Sequence, residues 1–314
     1  MVKVLLPTSI ELAPELPDGV ETVAYDVRQP IPEEHTDAEV LVSWTNPPRL
    51  LAAEARRLPR LRWVAALPAG PDAVLEAGFA PDVVITSGRG LHDGPVAEHT
   101  LALVLAVARR LPELVRAQDA HRWARELGGA QPVRERGSFR TLDGARVLVW
   151  GFGSIASRLA PLLTALGAEV TGVATTAGER AGYPVIASSD ITQALPTTDL
   201  LIGILPATPS TRDAIGTDVL AALPPHAWVV NVGRGSTLDE AALLAAVRAG
   251  SVAGAALDVF ATEPLPADSP LWDEPRILVS PHAAGGRPTG ASEFLTTNLA
   301  AFVEGRPLAN ALTR

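Results

Sequence analysis

The chain contains no cysteine, which excludes disulfides, zinc–thiolate sites and a thiol nucleophile. It has no excess of positive charge. Its 26 Lys and Arg stand against 35 Asp and Glu, for a net charge of −9, and no basic stripe stands out, so nucleic acid is not an expected partner. No apolar run reaches the roughly 18 residues of a membrane helix. The longest, residues 101–108, is flanked by Glu98, His99, Arg109 and Arg110. The opening MVKVLLP lacks an apolar region followed by a small-residue cleavage site, and a cytoplasmic protein is the expectation. Gly and Pro, at 26 and 28, fall short of the roughly 25–30% share that marks low complexity. What is present is apolar: 47% of 314 residues, with 19% charged. That is enough for a sizeable core, and the length predicts about two domains.

Short apolar segments at 2–6, 20–25, 40–43, 62–65 and 83–86, bounded by Pro or Gly, read as strands, with residues 48–58 helical between them. Strands alternating with helices argue for a parallel sheet covered on both faces. Residues 96–120 read as one long helix, with Leu101, Val104, Leu105, Ala108 and Leu111 on a common face. Pro112 is the point where it kinks or splits. The polar, aperiodic stretch 126–140 reads as a loop. A second series begins at Ala145. Its strands are expected at 146–150, 169–174, 200–205, 228–232, 253–259 and 277–280. Its helices are expected at 157–166 and 238–249, the latter closed by Gly250, and a tail helix at 293–303.

Residues 147–156 read Val-Leu-Val-Trp-Gly-Phe-Gly-Ser-Ile-Ala, a strand, then G-x-G-x-x-A, then a helix. Gly151 permits the tight turn, Gly153 lets a pyrophosphate approach the backbone, and Ala156 lets helix and strand pack closely. The helix N-terminus offers unpaired amides and a partial positive charge to the phosphates. The plain alternative is a tight strand-to-helix turn with no ligand. A site for NAD usually carries Asp or Glu at the end of the next strand. Here that end is Ala174, followed by Thr175, Thr176, Ala177, Gly178, Glu179 and Arg180. A missing carboxylate, two hydroxyls and a nearby Arg180 favour NADP. Glu179 or the backbone holding the ribose of NAD remains the other reading.

Three later strands each end in residues able to do chemistry: Asn231-Val232-Gly233-Arg234-Gly235, Asp258-Val259-Phe260-Ala261-Thr262-Glu263-Pro264 and Ser280-Pro281-His282-Ala283-Ala284-Gly285-Gly286. In an open α/β sheet ligands sit at the carboxyl ends of strands. Arg supplies a planar fork for a carboxylate or carbonyl oxygen, His moves protons near neutral pH, and Glu orients an imidazole. Each alone has a bland reading, as a surface turn, a structural His or a solvated Glu before Pro.

These segments resemble the NAD(P)-dependent D-isomer-specific 2-hydroxyacid dehydrogenases, and the resemblance covers nearly the whole chain. Gly94-Pro95-Val96-Ala97-Glu98-His99 looks like that family's interdomain segment, and residues 205–211, Leu-Pro-Ala-Thr-Pro-Ser-Thr, like its LPxTxxT segment. The resemblance implies an α/β protein with two doubly wound parallel-sheet domains, a Rossmann cofactor domain and a flavodoxin-like substrate domain, with a crevice between them. The substrate domain would be residues 1–98 plus 286–314 and the cofactor domain 99–285.

The resemblance also implies roles. Arg234 would clamp the substrate, His282 would protonate the carbonyl oxygen and Glu263 would pair with His282. Asp258 would sit by the nicotinamide amide, and Ala69 and Gly70 would hold the substrate carboxylate through backbone amides. The cofactor would lie along Gly151, Phe152, Gly153, Ser154 and Ile155, then Thr175, Thr176 and Arg180. It would also meet Leu205, Pro206, Val232, Gly233, Arg234, Asp258, His282 and Gly285. No metal is implied. The sequence departs from the family at Ala174, where Asp is usual, at Ala156, where Gly is usual, and at Pro68 and Pro71 around the Ala-Gly pair. Formate-type relatives carry Gln where this chain has Glu263, so the acid argues for 2-hydroxy acid chemistry.

The implied activity is hydride transfer between NADP(H), or NAD(H), and a small 2-keto or D-2-hydroxy acid, in the manner of glyoxylate/hydroxypyruvate reductases or phosphoglycerate dehydrogenases. Selectivity is expected near residues 44–46, 67–70 and Arg89. A homodimer built through the cofactor domain is implied, with the 101–111 face and Trp123 as candidate contacts, and no regulatory extension is expected after Arg314. The competing readings are a non-catalytic corepressor and a nucleotide sensor. The corepressor would predict loss of the set Arg234, Glu263 and His282, which is intact, and turnover of glyoxylate with NADPH separates all three.

Overall fold

The structure, a computed structural model, describes residues 1–128 and 139–313. The chain divides into two compact units, Met1–His92 with Arg287–Arg314, and Asp93–Gly286. The first holds strands β1 (Val2–Pro7), β2 (Val20–Tyr25), β3 (Val40–Ser43), β4 (Trp63–Ala66) and β5 (Val84–Thr86), with helices α1 (Pro48–Arg57) and α2 (Asp72–Glu76). The sheet order is β2-β1-β3-β4-β5 and every pairing is parallel, the flavodoxin-like order. β3 and β4 are buried at every residue, as expected where both faces are covered. One face packs Leu5, Leu41, Val64 and Ile85 against Leu51 of α1 and Val74 of α2. On the other, Leu295 and Leu299 of the tail helix Ala291–Val303 cover Val4, Val40, Val42 and Trp63.

The second unit opens with helices α3 (Asp93–Ala108) and α4 (Leu111–Asp119). It continues through β6 (Arg146–Trp150), α5 (Ser154–Ala165), β7 (Glu169–Ala174), β8 (Gly178–Arg180), β9 (Tyr183–Ala187) and the short α6 (Ile191–Ala194). Then come β10 (Leu200–Gly203), α7 (Thr217–Ala222), β11 (Trp228–Asn231), α8 (Glu240–Ala249), β12 (Gly254–Leu257) and β13 (Ile277–Val279). The order β13-β12-β11-β10-β6-β7-β9-β8 is parallel except for the antiparallel edge strand β8. The chain reverses its direction of winding between β6 and β10, the switch point of a doubly wound sheet. α8 shows local sequence control at both ends. The Asp239 side chain accepts the Ala242 amide at 2.9 Å, and Gly250 closes the helix in the left-handed region, φ +74°.

The fold departs from the sequence expectations at several points. The helix expected over 96–120, with a kink or split at Pro112, is two helices that part at Arg110, which turns left-handed, φ +56°; Pro112 lies in the first turn of α4, where its missing N–H costs nothing. All of α3 belongs to the second unit, so the division falls at Asp93 rather than within the helix at residue 98. α5 starts at Ser154, three residues before the expected start, since the glycine motif itself supplies the first turn. The β8–β9 hairpin was not expected. Its two-residue turn, Ala181 and Gly182, has φ of +51° and +81°, the twist that suits a tight hairpin. Ala-Gly is a weak signal for such a turn. Of the loop expected at 126–140, residues 129–138 lie outside the described residues.

Candidate functional site

The glycine turn joins β6 to α5. A side chain at Gly151 would stand 2.4 Å from the Ile204 carbonyl oxygen, and its φ is +101°, so only glycine fits there. A Cβ at Gly153 would meet nothing within 4 Å, leaving open space above the start of α5. Among the described residues no side chain caps that helix, so its first amides are left for a ligand. Ala156 and Phe152 are buried, and the Ser154 hydroxyl donates to Asp93 at 3.0 Å. These features fit a pyrophosphate at the N-terminus of α5.

At the end of β7, Ala174 holds the position where a ribose-binding carboxylate would stand. The β8–β9 hairpin brings Arg180 back over the glycine turn. Its guanidinium donates to the Phe152 carbonyl at 3.1 Å and to the Thr176 hydroxyl at 3.2 Å. Thr175 and Thr176 are exposed beside it, and Arg180, Thr176 and the cradle thus form one group.

The ends of β10, β11, β12 and β13 converge. Leu205 is buried, and the Pro206 carbonyl accepts the Thr211 hydroxyl at 2.6 Å. Val232 donates its amide to Gly203 at 3.0 Å. A Cβ at Gly235 would lie 1.9 Å from the Phe260 carbonyl carbon, so the Arg234 turn packs directly on the segment that carries Glu263. Buried Asn231 braces this turn. Its carboxamide accepts from the Gly233 amide and donates to the Arg234 carbonyl, both at 3.2 Å. The Arg234 guanidinium donates to the Gly233 carbonyl at 2.7 Å.

His282 and Glu263 form a pair. Glu263 Oε2 accepts from His282 Nδ1 at 2.6 Å, and Glu263 Oε1 accepts the Phe260 amide at 2.9 Å. With Nδ1 committed as donor, Nε2 is the nitrogen that faces chemistry. The imidazole is 47% exposed. Its backbone is left-handed, φ +51°, a conformation that costs a non-glycine residue on the order of 1–3 kcal/mol. Asp258 offsets that strain. Its carbonyl accepts the His282 amide at 2.8 Å, while its carboxylate accepts the Ala283 amide at 2.8 Å and the Ala284 amide at 3.0 Å. Gly285 follows directly on this loop. Asp258, fully buried, is thus the peg around which the His282 loop folds. The sequence motifs contain its partners Ser280 and His99 and the brace Asn231 but assign none of them a role.

In the first unit, Ala69 and Gly70 follow β4. Among the described residues neither amide has a protein partner. The loop is anchored on both sides: the Pro68 carbonyl accepts the Gly88 amide at 2.9 Å, and the Leu67 carbonyl lies 2.9 Å from Nε2 of buried His92. His92 stacks on Trp44 with ring centroids 5.6 Å apart, and Asn46 accepts the Trp44 amide at 3.0 Å. Arg89 is exposed. The sequence-expected selectivity residues 44–46 and 67–70 therefore form one connected group within this unit. The 101–111 face is largely used internally: Leu103, Val104, Val107 and Ala108 lie in the core of the second unit, with Leu101 and Leu105 packed against it. The exposed apolar residues nearby are Leu111, Leu114, Val115 and Trp123. Among the described residues no helix is long and apolar enough to cross a membrane.

The family model for the NAD-binding domain of D-isomer specific 2-hydroxyacid dehydrogenases matches residues 101–284. The chain is similar to glyoxylate/hydroxypyruvate reductase A of Serratia proteamaculans, 32% identical over 284 residues that cover 88% of this chain and 86% of the relative. Among solved structures, a D-isomer specific 2-hydroxyacid dehydrogenase family protein of Aeromonas salmonicida superposes with a TM-score of 0.83 at 26% identity, covering 99% of this chain and 98% of its own. A D-isomer specific 2-hydroxyacid dehydrogenase of Xanthobacter autotrophicus Py2, solved with NADPH and MES, gives 0.78 at 30% identity with the same coverage.

Proposed function

The chain belongs to the D-isomer specific 2-hydroxyacid dehydrogenase family, and we propose that it reduces glyoxylate and hydroxypyruvate with NADPH. It is an NAD(P)-dependent oxidoreductase of small 2-keto and 2-hydroxy acids. The observation that carries the assignment is the His282–Glu263 pair, held on a left-handed loop at the carboxyl end of a doubly wound sheet. The substrate pair is suggested by the Serratia reductase, and the cofactor by the NADPH-bound Xanthobacter relative together with Arg180.

NADPH, when bound, supplies the hydride. Gly151, Phe152, Gly153, Ser154 and Ile155 would hold the cofactor's pyrophosphate at the start of α5, and Arg180 with Thr175 and Thr176 would hold its 2′-phosphate. Leu205, Pro206, Val232, Gly233, Asp258 and Gly285 border the nicotinamide half. Arg234 would fork onto the substrate carboxylate and carbonyl oxygen. His282 Nε2–H would pass its proton to the substrate carbonyl oxygen, so that the alcohol forms neutral. Glu263 keeps the imidazole oriented through Nδ1–H and balances its charge before transfer. The first unit is the substrate domain and the second the cofactor domain. A homodimer through exposed Leu111, Leu114, Val115 and Trp123 of the second unit, in the cytoplasm, completes the proposal.

Initial rates for a panel of 2-keto acids, each with NADH and NADPH, test this reading. Highest kcat/KM for glyoxylate and hydroxypyruvate with NADPH supports it. No turnover of any 2-keto acid would leave a non-catalytic nucleotide binder.

A further inference from the structure

Behind the His282 loop lies a second histidine that the mechanism does not use. His99, on the second turn of α3, places Nε2 2.9 Å from the Ser280 hydroxyl and 3.3 Å from Asp258 Oδ1. Ser280 Oγ in turn lies 2.5 Å from the same Oδ1. Hydrogen counting fixes the direction of both contacts. Ser280 has one proton, and its close approach to the carboxylate assigns that proton to Asp258. Its oxygen can then only accept from His99, so Nε2 carries a hydrogen. The arrangement has the membership of a hydrolytic triad in the wrong order, because the serine is buried and donates to the carboxylate instead of to the imidazole.

Asp258 is the residue on which the 282–284 loop is folded, through three successive amides. Its carboxylate is fully buried, and a buried carboxylate is held in place by the donors that surround it. The groups around it are the donors Ser280, Ala283 and Ala284 and, as a contact at 3.3 Å, His99. Of these, only His99 comes from outside the β12 and β13 ends and what directly follows them. It therefore ties the loop to α3, a helix otherwise packed in the core of the same unit through Val104 and Val107.

We propose that His99 is a positioning residue for the reduction: by donating to Ser280, which in turn donates to Asp258, it fixes the loop that aims His282 Nε2. The proposal rests on His282 being the proton donor. His99 touches neither reacting atom in this scheme, so its loss misaims the donor and leaves cofactor affinity and substrate binding largely intact. The expected signature is a fall in kcat at nearly constant KM.

The test compares wild type with His99→Leu, His99→Gln, Ser280→Ala, the double variant His99→Leu/Ser280→Ala and His282→Ala, in the full chain with NADPH and glyoxylate. Gln retains an N–H donor of similar reach and Leu has none. His99→Leu is expected to lose about tenfold in kcat, the equivalent of about 1.4 kcal/mol of barrier. KM for glyoxylate and Kd for NADPH, read by nicotinamide fluorescence, should stay within about twofold, and His99→Gln should recover most of the loss. Since His99 acts through Ser280, the double variant should be no slower than the slower single variant. Wild-type kcat in His99→Leu overturns the proposal. So does a loss that Gln fails to restore, or one that raises Kd for NADPH in step, since either marks a purely structural residue. If His282→Ala itself turns over normally, the assignment of the proton donor fails instead, whatever His99 does.

Discussion

Removing the Arg180 side chain gives the sharpest reading of cofactor choice. In the protein it reaches the Phe152 carbonyl and the Thr176 hydroxyl, both neutral acceptors, and no carboxylate pairs with it among the described residues. A 2′-phosphate arriving beside Thr176 would gain a charge-assisted bond, a class worth about 1.5–3 kcal/mol. The side chain is half-buried, which places the contribution at the lower end, about 1.5 kcal/mol, or a little over tenfold. Arg180→Ala should therefore lower kcat/KM for NADPH about tenfold and leave NADH within about twofold. Ala174→Asp acts from the other side: it adds an acceptor for the ribose hydroxyls and a like charge against the phosphate. It should shift preference toward NADH by about 1–3 kcal/mol, and the double variant should prefer NADH outright. The assay is the loss of reduced-nicotinamide absorbance over a range of each cofactor at saturating glyoxylate. An equal loss with both cofactors in Arg180→Ala would mean that Arg180 only steadies the glycine turn, and the reasoning would be refuted.

Arg234→Lys keeps the charge and loses the planar fork, so KM for glyoxylate should rise at least about tenfold; unchanged kinetics would make Arg234 a turn residue. Light scattering should give about twice the chain mass of 32.8 kDa, and Leu114→Glu with Val115→Glu should return it to the monomer value. A monomeric wild type contradicts the dimer. Glu274 is buried, and the Arg276 guanidinium beside it holds its carboxyl below the usual carboxylate range. A depressed carboxyl adds stability above its unfolded value, near about pH 4.3, which is lost as pH falls through the folded value. Glu274→Gln should thus destabilise the fold at neutral pH and flatten the acid limb of chemical denaturation, and an unaltered limb would show that the pair contributes nothing.

The cradle was legible because its signal is local. Strand, two glycines, Ala156 and helix lie within one stretch, and β6 and β7 match their expected bounds. The pairing of Glu263 with His282, and the packing of the Arg234 turn on the segment that carries Glu263, follow from topology, since these segments come after neighbouring parallel strands. Less visible were features made by chain reversal or by contacts distant in sequence. The β8–β9 hairpin turns on Ala181-Gly182 instead of Asn-Gly, and it is what returns Arg180 to the glycine turn. The role of Asp258 as a loop peg depends on amides that no side-chain pattern records. His99 and Ser280 lie 181 positions apart, and no periodicity links them. Pro112 signals the break in the long helix, but its placement at Arg110 rests on a backbone angle that the apolar face, which continues across it, does not record.

The central claim is that His282 delivers the proton that accompanies hydride transfer, and His282→Ala tests it most directly. Kinetics with NADPH and glyoxylate, paired with NADPH titration by fluorescence, should show kcat lower by about 10²–10⁴-fold, the range of a positioned acid, with Kd for NADPH unchanged. Turnover near that of the wild type would contradict the account.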